Sequence, residues 1–225
     1  HPLLRQQELE RLRQMDLAGF SATTLPLLYP VAAGAAGLEQ ALEALGEAPL
    51  RSVAQGQSLL ILSDRGVDAT QAPLPSLLAT SAVHQRLIRD GARGQCGIVV
   101  ESGEVREVMH VALLLGFGAS AVNAYLVDET IGDLARAGRL PAGITPEQAE
   151  ERFAKAVGKG LLKVFARMGI STLRSFRGAG LFEAIGLSLE LVDHYFGGVT
   201  SRLGGIGLEE LARAVAARHR RAFSP

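Results

Sequence analysis

The sequence predicts an α/β fold of parallel βα units, arranged as a (β/α) barrel-like sheet or incomplete barrel and followed by a mainly helical C-terminal segment. Between residues 56 and 126, apolar runs, polar turns and amphipathic stretches alternate, which is typical of strands and helices that form a parallel sheet. The apolar runs are continuous, as expected for strands that are covered on both faces. After residue 139 this alternation gives way to helical periodicity broken by glycines.

Four strand–helix units are predicted, each an apolar run followed by an amphipathic stretch. Their strands and helices are predicted at 21–25 and 37–53, 58–62 and 76–90, 97–100 and 105–115, and 119–126 and 127–137. The first of these helices is expected to be interrupted near Pro49. Right-handed crossovers place such units in a doubly wound sheet or in part of a (β/α) barrel, and the sequence leaves that choice open.

A boundary is predicted at residues 140–145, so that residues 1–139 form a central βα domain and residues 140–225 a helical C-terminal extension. Prolines and glycines in the boundary segment cannot continue a helix, and Thr145 is a good N-cap for the next one. After Thr145, apolar residues at three- and four-residue spacing predict a long helix that reaches Met168. Shorter helical pieces divided by glycines are predicted beyond it.

The charge composition argues against nucleic-acid and membrane partners. Lys plus Arg and Asp plus Glu each total 23, which gives a formal net charge of +0 and no overall field that would attract a polyanion. The longest apolar stretches are broken before the ~20 residues that a membrane span needs, and no secretion signal opens the chain. The single cysteine, Cys96, has no disulfide partner, which fits a reducing compartment. We therefore expect a soluble, cytoplasmic protein.

Polar groups follow two of the predicted strands, where α/β proteins bind their ligands. Asp64 and Arg65 come after the second strand, and Glu101 and Ser102 come at the end of the third. Such groups are suited to an anion or to ammonium. The alternative is structural: Asp64 and Ser102 cap the following turns, while Arg65 and Glu101 pair with neighbouring charges.

No catalytic, cofactor-binding or metal-binding residue is predicted in this chain. One cysteine and five histidines do not combine a nucleophile with a base at any recognisable spacing. Zinc and calcium spacings do not occur, and the glycine turns lack the spacing of a dinucleotide or phosphate loop.

Two cations, Arg174 and Arg177, stand close together before the glycine turn at Gly178. Paired guanidinium groups suit a carboxylate or phosphate partner. An internal ion pair with Glu183 or Asp193 is the alternative.

Several segments, taken in order, resemble the large subunit of bacterial and plastid-type glutamate synthase. They read ILSDRG at 61–66, PSLLA at 75–79, AVH at 82–84, VVESGE at 99–104, GKGLLKV at 158–164, MGISTLRSFRGA at 168–179 and SRLGGIGL at 201–208. The matched part is the central region of that subunit, between an N-terminal glutaminase domain and an FMN-binding domain. The resemblance therefore implies a piece of a larger enzyme that ends as the flavin domain begins.

The resemblance implies a cytoplasmic enzyme in which the glutaminase domain releases ammonia, and the flavin domain adds it to 2-oxoglutarate and reduces the product to L-glutamate. FMN and an iron-sulfur cluster are then expected in domains outside this sequence, and this segment is expected to be inactive by itself. The implied partners are the glutaminase and FMN-binding domains, with a small reductase subunit as a further candidate. The electron donor, whether NADPH, NADH or ferredoxin, and the oligomeric state stay open.

In this interpretation the chain is a scaffold that positions the two catalytic domains and lines part of the ammonia route. Arg177 is expected to brace the approach to the flavin domain. The loop groups expected to face neighbouring domains are Asp64, Arg65, Glu101, Ser102 and Asn123.

Three positions depart from the family pattern: Ala124 replaces a proline, Met109 a histidine and Gly180 a glutamine. These departures weaken the expectation that those positions keep an ammonia passage or a domain contact. Two other hypotheses remain: a freestanding small-molecule binding or regulatory module, and a small enzyme with a site on its own βα loops. A bound 2-oxoglutarate, glutamine or glutamate at the Asp64 and Glu101 loops would favour the enzyme.

Overall fold

The computed structural model describes residues 1–15 and 17–223. Its strands are β1 Leu3–Leu4, β2 Ala22–Pro26, β3 Leu28–Pro30, β4 Leu59–Ser63, β5 Gln71–Pro73, β6 Gly97–Glu101, β7 Ala121–Asn123, β8 Ala184–Leu187 and β9 Ser201–Ile206. Its α-helices are α1 Gln6–Arg13, α2 Gly34–Ala54, α3 Ser76–Arg89, α4 Val108–Gly116, α5 Tyr125–Arg136, α6 Pro146–Arg167, α7 Leu173–Phe176, α8 Leu189–Tyr195 and α9 Leu208–Phe223.

Five strands form one parallel sheet in the order β1, β7, β6, β4, β2. The strands β2, β4, β6 and β7 are neighbours, and α2, α3 and α4 connect them in turn. This arrangement confirms the predicted fold of parallel βα units, including the four units and their order. In the described part of the chain β1 and β2 are the two edges, so the sheet is open.

The sheet is covered on both faces, which explains the continuous apolar runs. Successive residues of a strand point to opposite faces. One face packs into the main core through Leu60, Leu62, Ile98, Val100 and Val122. On the other face Ile61 and Val99 form a smaller cluster with Leu9 of α1, so the N-terminal helix covers the surface that the other helices leave open.

The structure differs most from the sequence prediction in helix α2 and in strand β7. Helix α2 continues through Pro49 without a break, because Leu45, Pro49 and Ser52 are all buried on it and this packing offsets the hydrogen bond that a proline removes. The strand predicted at 119–126 is shorter, since β7 ends at Asn123 and α5 begins at Tyr125.

Helix α6 begins where the sequence predicts it. The Thr145 side chain accepts a hydrogen bond from the Gln148 backbone N–H at 3.3 Å, which caps the first turn. Apolar residues of α6 and later elements, such as Leu161 and Phe176, belong to the same buried cluster as the sheet. The division into two domains at 140–145 stays a prediction, and residues on both sides of it share one core.

Two small strand pairs complete the fold. Strands β3 and β5 pair antiparallel, and β8 and β9 pair parallel within the mainly helical C-terminal segment. Among residues 1–15 and 17–223, no helix combines the length and the apolar character that crossing a bilayer would require.

Candidate functional site

The carboxyl ends of the central strands bring three polar side chains level with one another. The register pairs Ser63 with Glu101 and Glu101 with Asn123. These residues have the same strand parity as Ile61 and Val99, so they lie on the face that α1 covers. All three are buried. A buried carboxylate at this position needs partners, because an unpaired buried charge is costly.

Glu101 has those partners. Its side chain is 0% exposed; Ser63 Oγ donates to its Oε2 at 2.5 Å and Arg65 Nε donates to its Oε1 at 2.8 Å. Arg13, from the end of α1, also donates to Oε2. Burial raises the pKa of Glu101, but the hydrogen bonds from Ser63, Arg65 and Arg13 outweigh it and hold the pKa below its usual range. We call Glu101, Ser63, Arg65 and Arg13 the carboxyl-edge network.

Arg65 extends this network to helix α5 and makes a second contact with α1. Its Nη1 donates to Glu129 Oε1 at 2.8 Å and its Nη2 donates to Gln6 Oε1 at 3.0 Å. The guanidinium carbon lies 4.1 Å from the ring centroid of Tyr125, within cation–π range. Arg65 therefore ties α1, β6 and α5 together.

Asp64 joins the loops that follow β4 and β6. Its carboxylate, 2% exposed, accepts hydrogen bonds from Ser102 Oγ at 2.6 Å and from the Gly103 backbone N–H at 3.0 Å. Burial raises the pKa of Asp64, and these hydrogen bonds offset that effect only in part. Burial and the Asp64 carboxylate together raise the pKa of Tyr125. These contacts agree with the structural alternative given for the loops: Arg65 pairs with Glu101, and Asp64 and Ser102 bond to each other and to the turn that follows β6.

Two groups at this edge stand outside the carboxyl-edge network: one is a buried acceptor without a donor in the described part of the chain, and the other is a carboxyl group with a raised pKa. Asn123 Nδ2 donates to the Leu4 carbonyl at 3.0 Å, but the buried Asn123 Oδ1 has no partner among the described residues. Asp128, on α5, is half-buried, and burial, followed by repulsion from Glu150, raises its pKa to about 6.

The structure brings five of the six candidate residues together and places the sixth elsewhere. Asp64, Arg65, Glu101, Ser102 and Asn123 lie at the carboxyl edge. Arg177 instead donates through Nη1 to Ser120 Oγ at 2.7 Å, and Ser120 lies just before β7, at the opposite, amino edge.

The sequence analysis missed other members of the site, among them Arg13 and Gln6. Arg13 is 88 residues from Glu101 and Gln6 is 59 residues from Arg65 along the chain. Both belong to the polar helix α1, which carries one buried residue, Leu9. No local pattern marks such residues as partners of a distant strand end.

The fold and this edge define the class of protein as an α/β domain with parallel strands whose ends are joined by ion pairs. The family described as "Glutamate synthase central domain" matches residues 1–188. The chain belongs to this family.

Curated relatives support the same assignment. The chain is 46% identical over 186 residues to the NADPH glutamate synthase large chain of Bacillus subtilis (strain 168). It is 36% identical over 224 residues to the NADH glutamate synthase of Schizosaccharomyces pombe and 40% identical over 235 residues to the ferredoxin-dependent, chloroplastic glutamate synthase of Spinacia oleracea. These matches cover 83%, 99% and 99% of this chain but only 12%, 11% and 14% of the relatives.

Solved structures overlap with the chain less completely. A flavocytochrome b2 double variant with sulfite bound aligns with a TM-score of 0.47 at 14% identity, over 78% of this chain and 38% of that one. The pyruvate-bound form aligns with a TM-score of 0.45, over 72% of this chain and 40% of that one. These partial overlaps have no bearing on function.

The donor set of the carboxyl edge does not fit the two cofactors that the resemblance implies for the whole enzyme. An iron-sulfur cluster is held by several cysteine thiolates, whereas this sequence has one cysteine, the buried Cys96. At the carboxyl edge a flavin phosphate would find no free cationic group in the network, because Arg65 and Arg13 are both paired with Glu101. We assign no chemical step to this edge.

Proposed function

We propose that the chain is the central scaffold of a glutamate synthase, the enzyme that makes L-glutamate from 2-oxoglutarate and glutamine-derived ammonia. In this role it positions the glutaminase domain and the FMN-binding synthase domain. The observation that carries the proposal, beside family membership, is the carboxyl-edge network around Glu101. Side chains that a ligand-binding α/β domain directs at its ligand are here bonded to one another.

The carboxyl-edge network links several elements of the fold to one another. Glu101 connects β6 to β4 through Ser63 and to α1 through Arg13, and Arg65 adds α5 through Glu129. Charge-assisted contacts of this kind hold side chains in one geometry. Elements that are far apart in the sequence are thereby held in a fixed relation, as a domain between two catalytic domains requires.

The ammonia route is the finer part of the proposal. The buried Asn123 Oδ1 has no partner among the described residues, and a carbonyl oxygen accepts the N–H of ammonia or ammonium. Asn123 is therefore the residue of this edge best suited to line such a route.

The cofactors and partners of the whole enzyme belong to the proposal as well. FMN and the iron-sulfur cluster lie in other domains, and a small reductase subunit is a candidate partner. The names of the relatives carry NADPH, NADH and ferredoxin, so the family does not fix the electron donor. A cytoplasmic location is proposed, although the spinach relative is named as chloroplastic.

The first test uses the chain as it stands. Purified protein is supplied with 2-oxoglutarate, ammonia and a reductant, and glutamate is measured. We expect none, because the proposal places the flavin and the iron-sulfur cluster that carry out the reduction in other domains. Formation of glutamate above a heat-treated control would contradict the scaffold role.

The second test uses the full-length enzyme that contains this domain, with the variant Glu101→Gln and the control Glu129→Gln. Glutaminase activity, ammonia-dependent synthesis and glutamine-dependent synthesis are measured separately. A scaffold variant should lose glutamine-dependent synthesis while keeping most of the other two activities. If a folded Glu101→Gln enzyme lost all three equally, Glu101 would act in the chemistry and the proposal would be wrong.

A further inference from the structure

The amino edge of the sheet holds a group of cationic and polar side chains that the proposed scaffold role does not use. Arg93 lies between α3 and β6, Arg177 follows α7, and His84 is buried on α3. We call these three residues the amino-edge cluster. Both arginines are half-buried. The cluster contacts Cys96 and Ser120, which come just before β6 and β7. It therefore lies at the opposite end of these strands from the carboxyl-edge network.

The contacts of Arg93 are all with neutral acceptors. Its Nε donates to His84 Nδ1 at 2.8 Å, and its Nη1 and Nη2 donate to the carbonyls of Cys96 and Gly118, each at 2.7 Å. Arg177 donates to a neutral hydroxyl, Ser120 Oγ. Among residues 1–15 and 17–223, neither guanidinium has a carboxylate within the 4.0 Å of an ion pair. The two positive charges are therefore uncompensated.

The imidazole of His84 adds a third donor. Because Nδ1 accepts from Arg93, the hydrogen of the neutral ring lies on Nε2. Burial, followed by the charges of Arg93 and Arg177, lowers the pKa of His84 to about 4, so the ring is neutral at physiological pH. A β-carbon placed on Gly178 would lie 3.1 Å from Nε2, so this N–H faces the residue that follows Arg177.

Open space adjoins the imidazole. A cavity of about 370 Å³ is lined by His84, Gln85, Phe117 and residues 178–182, the segment that begins directly after Arg177. Its glycine-rich wall leaves room for a small molecule or for a side chain from outside. Burial and the charge of Arg177 lower the pKa of Arg93, the direction expected where like charges stand together without an acid.

We propose that the amino-edge cluster is an oxyanion-binding site, in which Arg177 and the Nε2–H of His84 bind a carboxylate or phosphate group, while Arg93 holds the imidazole from its Nδ1 side. Partly buried cations are usually paired, and planar guanidinium groups match the geometry of these anions. The oxyanion comes either from a free small molecule or from an acidic group elsewhere in the full-length protein. The site is independent of the scaffold role, because it lies at the other edge of the sheet.

The experiment titrates inorganic phosphate and glutarate into the 225-residue chain at constant ionic strength. Binding is followed by calorimetry and by the nitrogen resonances of isotopically labelled His84. We expect saturable binding that shifts the Nε2 resonance. Absence of saturable binding of both anions, or binding that leaves the His84 resonances unchanged, would overturn the proposal.

The variant Arg177→Gln should weaken binding about tenfold or more, which is the scale of one lost hydrogen bond to a charged group. Its amide can still donate to Ser120 Oγ, which limits the effect on folding. The matched control is Arg174→Gln, an exposed arginine on α7, which should change affinity by less than about twofold since its charge is screened by salt. Equal losses for the two variants would show a diffuse charge effect and would overturn the site. Should Arg177→Gln fail to fold, Arg177→Lys, which keeps the charge but loses the planar fork, serves in its place and should also bind more weakly than the control.

A comparison with the full-length enzyme identifies the source of the anion. Phosphate or glutarate binding to both proteins indicates a soluble ligand, and binding to the 225-residue chain alone indicates that an acidic group of the remaining polypeptide occupies the site. Either result supports an oxyanion site. If the scaffold role failed in its own activity tests, this binding result would be unaffected, so the two proposals fail separately.

Discussion

The two edges of the same sheet differ in whether their charged side chains are paired with opposite charges. At the carboxyl edge, one fully buried carboxylate, Glu101, is matched by two guanidinium groups and a hydroxyl. At the amino edge, Arg93 and Arg177 contact a neutral imidazole, two carbonyls and a hydroxyl. The charged groups of the carboxyl edge are thus paired with one another, whereas the two guanidinium groups of the amino edge have no carboxylate beside them among the described residues.

This difference shows that strand polarity alone does not locate the charges that lack a partner. Open α/β sheets bind ligands at the carboxyl ends of their strands, and the sequence analysis placed five candidate residues there. In this domain those residues pair with one another. The charge that lacks a partner is on the other side, so the balance of charge among neighbours is the better guide.

The largest expected effect is at the carboxyl edge. Glu101→Gln leaves Arg13 and Arg65 without their buried partner, and the free energy of unfolding should fall by about 3–5 kcal/mol. Glu129→Gln removes an exposed partner of the same arginine and should cost less than about 1 kcal/mol. Urea unfolding followed by circular dichroism measures both. If the two variants lost similar amounts of unfolding free energy, the buried contacts of Glu101 would not be what stabilises this edge.

The second prediction concerns pH at the amino edge. The pKa of His84 is lowered to about 4 by burial and by the two arginines, whereas an unfolded histidine titrates near ~6.5. The unfolded state therefore binds more protons in this window, so the stabilising contribution is present above pH ~6.5 and is lost as the pH falls, by about 2–3 kcal/mol. His84→Gln keeps an acceptor for Arg93 and should flatten this part of the profile. An unchanged slope in the variant would show that His84 is not the titrating group.

The smallest expected effect has the opposite sign and lies at the carboxyl edge. The pKa of Asp128 is raised to about 6, so the folded state holds a proton that the unfolded state has already lost above pH ~4. The contribution of Asp128 is therefore fully present below pH ~4 and is lost as the pH rises to about 6, at a cost of about 1–2 kcal/mol. Asp128→Asn should be more stable than the original protein at pH 7 and equally stable near pH 4. Asp133→Asn, on an exposed part of the same helix, is the control.

Most of the fold could be predicted from the sequence because its signals are local. The buried strands β4 and β6 are continuous apolar runs, and the helices that follow them carry apolar stripes. Strand β1 and helix α1 were missed, since β1 has two residues and α1 has one buried residue. Such short elements are stabilised by the tertiary contacts they make, and no pattern within them predicts those contacts.

The candidate site could be predicted only in part, for a related reason. Residues at strand ends are marked by the strands themselves, so Asp64 and Glu101 were found. Their arginine partners are not marked, because Arg13 comes from a different part of the chain. The same is true of Arg177, which the sequence pairs with Arg174 or with an acid nearby, whereas the structure places it with Arg93 and His84.

Strand β1 gives this domain an order of assembly. Leu3 and Leu4 pair with Val122 and Asn123, so their place in the sheet exists only after the fourth βα unit has formed, and closing so long a loop is slow. During synthesis these residues leave the ribosome before the rest of the domain, yet they cannot pair in the sheet until β7 has formed. Until β1 and α1 pack on the sheet, the apolar surface that Leu9 covers is exposed to water, and Glu101 lacks its contact with Arg13.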